Sequence, residues 1–251
     1  MTLPIAVQLY SIRDALTADF AATLGRVADM GFAGVEFAGV YGSSPTSAAA
    51  LCAQLGLGIS SAHLPMPIGD NRQKSIDIAK ALGIKTLICA WLPPDRFTTL
   101  GSISQVCDEL NAADDAARAA GLRFAYHNHD FEFQRLPDGS LVFDHMRRML
   151  NPTVGFEVDI YWVKFAGEDP ATVISSVSDR VQLVHVKDGS GVRDDGFLAA
   201  GEGIVDIPTT VKTAKSAEWL IVELDWCKTD VFAAVQKSFG YLVAQGLGHG
   251  R

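Results

Sequence analysis

Two histidines, an amide and two carboxylates fall within the six residues 127–132, as His127, Asn128, His129, Asp130 and Glu132. They directly follow an apolar run at residues 124–126. Neutral imidazoles accept protons near neutral pH or hold transition metals, and carboxylates beside them serve either task. Other apolar runs also close on polar groups: Gln8, Glu36, His63, Asp159, His185 and Glu223, with Lys187 and Asp188 just beyond His185. A lone strand-end acid is commonly a helix cap, and a lone histidine a satisfied core group. Their joint placement is what points to chemistry. Glu223 and His185 stand inside apolar segments, where an unpaired polar group is costly. A divalent cation satisfies both, because it neutralises carboxylates and accepts neutral imidazole nitrogen. Asp159, His185 and Glu223 come from consecutive apolar runs and can converge on one point. Oxygen and nitrogen ligation without thiolate suits one divalent ion, Mn, Mg, Co or Zn.

The elements that must position these groups alternate along the chain. Apolar strand-like runs are read at residues 5–10, 34–37, 58–64, 86–91, 123–129, 154–159, 181–187 and 219–224. Helical spacing is read at 17–30, 47–55, 71–82, 100–120, 143–150, 170–177 and 230–244, and Asp206 caps a further helix with Pro208 in its first turn. Residues 136–139 read as a tight turn, and 188–205 as a glycine-rich polar loop. Strands that are apolar throughout, alternating with helices, imply a parallel sheet covered by helices. Eight such units in 251 residues match an α/β fold, a single (β/α)8 TIM barrel spanning residues 1–251. An open doubly wound sheet is the alternative, but no glycine-rich fingerprint follows an early strand. In a barrel the ends of the strands are where active sites form.

Composition narrows the function classes. The formal net charge is −8, which argues against a nucleic-acid partner, since phosphate backbones need basic patches. Cys52, Cys89, Cys107 and Cys227 are scattered without a CxxC and read as reduced thiols. No basic region followed by an apolar run opens the chain, and no apolar run reaches membrane-spanning length. The expectation is a cytoplasmic protein with no membrane partner.

The chain resembles the xylose isomerase-like barrel superfamily of sugar phosphate isomerases and epimerases. The stretches carrying the resemblance are residues 7–14, 34–37, 126–129, 158–159, 185–188, 201–203 and 221–225. Family members bind one divalent metal through Glu, Asp, His and Glu from the fifth to eighth strands. The resemblance therefore implies Asp159, His185 and Glu223 as metal ligands. Where relatives place the first glutamate, this chain has His127, so the fourth ligand is His127, His129 or Glu132. Several ketose epimerases carry a histidine three residues after the aspartate, and that position is Trp162 here.

The implied chemistry is proton abstraction next to a carbonyl of a sugar or keto-sugar. His127, His129, Glu223 and Lys187 are the candidate catalytic groups, and Gln8, Glu36, His63, Trp162 and Glu202 the candidate substrate contacts. Returning the proton elsewhere gives an isomerase or epimerase; expelling a β-substituent gives a lyase of the inosose dehydratase kind. A sugar-binding barrel without catalysis is the non-enzyme alternative, against which the nearly complete ligand set argues. A histidine base predicts a pH–rate limb at about 6–7. The oligomeric state is open, a homo-oligomer included.

Overall fold

A computed structural model describes residues 2–251. Eight parallel strands run in sequence order around a closed barrel: Leu3–Gln8, Gly34–Phe37, Gly58–His63, Thr86–Cys89, Arg123–His127, Gly155–Asp159, Val181–Val186 and Trp219–Val222. The eighth closes on the first through the register Ile5 to Leu220, Ala6 to Ile221 and Val7 to Val222. Helices surround the strands, as the alternating pattern predicts. Gly248–His249 adds a short parallel piece beside the start of the first strand.

The strand period of two divides each strand between two cores. Outward residues pack under the helices. Inward residues form layers up the barrel. Trp219 fills the floor: a Cβ on Gly34 would stand 2.9 Å from its ring and 2.6 Å from the Gly58 carbonyl oxygen. Above it lies a small apolar layer of Ala6, Ile88, Ala125, Leu183 and Ile221. Two residues further along the same strands come Gln8, His127, His185 and Glu223. The apolar floor thus ends where the polar cluster begins, toward the C-terminal ends of the strands.

Several expected boundaries move for local reasons. The strand read at 5–10 stops at Gln8, because the Gln8 side chain accepts from the Tyr10 amide and caps a tight turn over Leu9–Ile12. The single helix read at 17–30 is two, Arg13–Ala18 and Phe20–Asp29. Asp19 is extended between them, and its carboxylate caps the second. A helix over Ile160–Phe165, absent from the sequence reading, starts on Asp159 itself. The loop at 188–205 contains an antiparallel pair, Asp188–Gly189 with Phe197–Leu198. All four cysteines are free, three of them buried and Cys227 partly so. Among the described residues, no helix is long and apolar enough to cross a membrane.

Candidate active site

The fifth to eighth strands bring four donors together. Ligand atoms of His127, Asp159, His185 and Glu223 all lie within 4.8 Å of one another. All four residues are buried. Asn128 ties the ends of the fifth and sixth strands together: its Oδ1 accepts from the Asp159 amide at 3.1 Å and its Nδ2 donates to the Asp159 carbonyl at 3.3 Å. One carboxylate oxygen of Asp159 then caps the following helix through the Tyr161 and Trp162 amides. Its other oxygen faces Lys187 Nζ and His127 Nδ1 faces Glu157 Oε2, but neither contact has hydrogen-bond geometry. Buried polar atoms are rarely left so.

Lys187 Nζ reaches Glu223 at 2.8 Å, Asp225 at 3.0 Å and Asp159 at 3.2 Å. Burial pulls this ammonium toward neutrality, but Asp159, Asp225 and Glu223 hold its pKa well above the ordinary lysine value. Burial also raises Glu223, yet Lys187 and His185 carry it well below the usual carboxylate range. His127 and His129 behave oppositely. Burial lowers His127 well below an ordinary imidazole, with His185 adding to the effect. Burial, then Lys187, brings His129 down to about 3. Both rings are therefore neutral at pH 7, with lone pairs available for a proton or a metal.

A second cluster lies against the first. Glu36 Oε2 receives the Gln8 amide at 2.6 Å and stands 2.7 Å from His185 Nε2, while Ser61 donates to Glu36 Oε1. Glu157 Oε2 lies 2.8 Å from His63 Nε2 and 3.1 Å from His127 Nδ1. His63 would be depressed by burial, but Glu36 and Glu157 push it up to about 10.

A cleft of about 680 Å³ opens above these groups, lined by His63, His127, His129, Glu223 and Asp225 on one side. Trp91, Tyr10 and Met66 contribute to its apolar side. Its size falls in the range of roughly 300–1,000 Å³ that encloses small ligands.

The expected site residues separate under this geometry. His127, Asp159, His185, Glu223 and Lys187 come together, and His63 and His129 face the cleft. Glu132 does not join them. Its buried carboxyl accepts from Tyr126 Oη and from the His129 amide, which turns it behind the fifth strand. Gln8 and Glu36 are fully buried partners of each other and do not line the cleft. Trp162 is buried, with its ring 6.0 Å from that of His129. Glu202 points to the surface, where it pairs with Lys237 at 3.1 Å. The glycines flanking it matter instead: the Gly201 and Gly203 amides donate to Asp188, and a Cβ at Gly203 would strike that carboxylate at 2.2 Å. The sequence reading passed over Glu157 and Asp225. Each lies two residues from a recognised acid on the same strand or its end, and that spacing is the signal that could have found them.

The family model described as xylose isomerase-like TIM barrel matches residues 24–242. The chain belongs to the xylose isomerase-like TIM barrel family. Within this family, a sugar phosphate isomerase/epimerase from Parabacteroides distasonis ATCC 8503 is 27% identical, superposes with a TM-score of 0.83, and aligns over 96% of this chain and 98% of its own. The inosose dehydratase of Lacticaseibacillus casei is 26% identical over 157 residues, 54% of this chain and 52% of that protein. The chain thus matches about half the length of this curated relative. The IolI protein, solved with a bound zinc atom, shares the fold with a TM-score of 0.73 at 14% identity, over 97% of this chain and 98% of its own.

Proposed function

We propose that this xylose isomerase-like barrel is a divalent-metal-dependent sugar isomerase or epimerase that removes the proton next to a carbonyl of a sugar or keto-sugar. The carrying observation is the convergence of four buried donors, His127, Asp159, His185 and Glu223, whose ligand atoms lie within 4.8 Å of one another. These atoms fit a metal: two carboxylates and two imidazoles make a mixed oxygen–nitrogen set for Mn, Mg, Co or Zn. The IolI neighbour, which shares the fold, was solved with a bound zinc atom, which supports a metal in a barrel of this kind. A divalent ion held by these residues would supply Lewis acidity for stabilising the charge that develops on proton removal.

The remaining work falls to the chain's own side chains. His129, neutral and facing the cleft, takes the α-proton on its ring nitrogen. Lys187 stays protonated beneath the cleft and holds Glu223 and Asp225, which line it, in place. Asn128 holds Asp159 in place, and the apolar side of the cleft limits water around the reacting carbon.

One observation favours a second reading, a lyase acting on keto-sugars or keto-inositols. The fifth strand supplies histidine instead of the glutamate that two-glutamate epimerases use, and the inosose dehydratase match supports such chemistry. Both readings share the first step. Turnover of a keto-sugar in deuterated water should place deuterium at the α-carbon of substrate or product. Mass otherwise unchanged marks isomerisation or epimerisation; loss of water or of a β-substituent marks the lyase. Turnover without solvent hydrogen at that carbon, even after prolonged equilibration that lets a sheltered base exchange its proton, favours an internal hydride shift over proton abstraction.

A further inference from the structure

Directly beneath the cleft, four atoms from four strands form a closed ring. His63 Nε2 stands 2.8 Å from Glu157 Oε2, which is 3.2 Å from His185 Nε2. His185 Nε2 is 2.7 Å from Glu36 Oε2, which is 3.2 Å from His63 Nε2. The centre of such a ring lies about 2 Å from each corner, the length of a zinc–nitrogen or zinc–oxygen bond. A fifth donor atom, His127 Nδ1, stands 3.1 Å from Glu157 Oε2. It is buried and has no hydrogen-bond partner, and Glu157 Oε1 is likewise unpartnered. His63, His127, Glu157 and His185 also place their ligand atoms within 4.8 Å of one another.

We propose that Glu36, His63, Glu157 and His185 form a second, inner divalent-cation site, distinct from the outer one formed with Asp159 and Glu223. Proton counting supports it. Each Nε2 carries at most one hydrogen, so two protons must serve four short nitrogen–oxygen contacts. A cation at the centre takes a lone pair from every corner and needs no proton. Charge also balances: one divalent ion would carry the same charge as the two protons it displaces from His63 and His185, and would offset the two buried carboxylates equally. Nitrogen and oxygen corners in equal number suit zinc or cobalt better than magnesium, which prefers oxygen throughout.

The inner site touches the outer one through His185. Its Nε2 faces the ring, while its Nδ1 lies 3.0 Å from Glu223 Oε2. Both sites would therefore draw on His185, the inner through Nε2 and the outer through Nδ1, and the inner contacts would orient this ring for the outer site, as second-sphere groups do for metal-bound histidines.

The test is metal counting on the full-length protein, stripped with chelator, reloaded with Zn²⁺ and desalted. Plasma mass spectrometry should give two zinc per wild-type chain, one in Glu157→Gln or His63→Gln, and one in Glu223→Gln. Anomalous diffraction at the zinc edge should place a peak between His63 and His185 that Glu223→Gln retains. One zinc in wild type, lost in Glu223→Gln but kept in Glu157→Gln, overturns the inner site and leaves the outer. The reverse pattern supports the inner site and overturns the outer; no zinc in wild type overturns both. A single zinc kept by both variants, or a wild-type map without the inner peak, also overturns the inner site. If a variant fails to fold, the wild-type map decides.

Discussion

Replacing Lys187 with Met removes the ammonium that sits among Asp159, Glu223 and Asp225, which it meets at 3.2, 2.8 and 3.0 Å. Lys187 is 1% exposed, so its charge is little screened by solvent. Removing one partner of a buried ion pair costs about 3–5 kcal/mol, mostly for the charge left behind. For a chain of this size that lowers Tm by roughly 10 °C. The loss should depend on pH. Burial raises Asp159 and Asp225 above ordinary aspartates, and Lys187 is the largest influence opposing that rise. Without the lysine both rise further and take up protons in the folded state as pH falls. Native proton uptake stabilises the variant toward acid, so the deficit relative to wild type should shrink as pH falls. Urea denaturation in the presence of chelator, at pH 5 and 7.5, measures this directly. A deficit under about 1 kcal/mol at pH 7.5, or one equal at both pH values, refutes the electrostatic role assigned to Lys187.

Two other outcomes follow from the same electrostatics. With His129 brought down to about 3, the active, unprotonated base persists at pH 5, so the acid limb of kcat/KM should lie well below the 6–7 of a free histidine; His129→Asn should lose about 10²–10⁴ in rate, and a wild-type limb at 6–7 would contradict the burial of the base. Burial lifts Glu132 to about 8 against the ordinary 4.5. The folded state therefore holds a proton that the unfolded state has lost, and stability should fall as pH rises from about 4.5 to 8, by up to about 1.4 kcal/mol per unit. In Glu132→Gln that slope should flatten, and an unchanged slope in urea melts would show that Glu132 is not its source.

The barrel was legible because its signals are local. Each strand advertises itself by apolar residues, each helix by its period and cap, and eight repeats of the pair leave few ways to close. The same periodicity put Asp159, His185 and Glu223 at strand ends on one face. Partner choice was not legible. Glu132 stands three residues from His129, as close in sequence as a ligand could be, yet Tyr126 Oη and the His129 amide claim its carboxyl on the far side of the strand. Glu36 looked like a substrate contact, but barrel closure sets it 2.7 Å from His185, 149 residues away. Glu157 meets His63 across 94 residues of chain, and nothing near either residue names the other. Secondary structure follows from interactions within a few residues. Which buried polar atoms face each other depends on the barrel's closure and register, and these distances exist only once all eight strands have assembled.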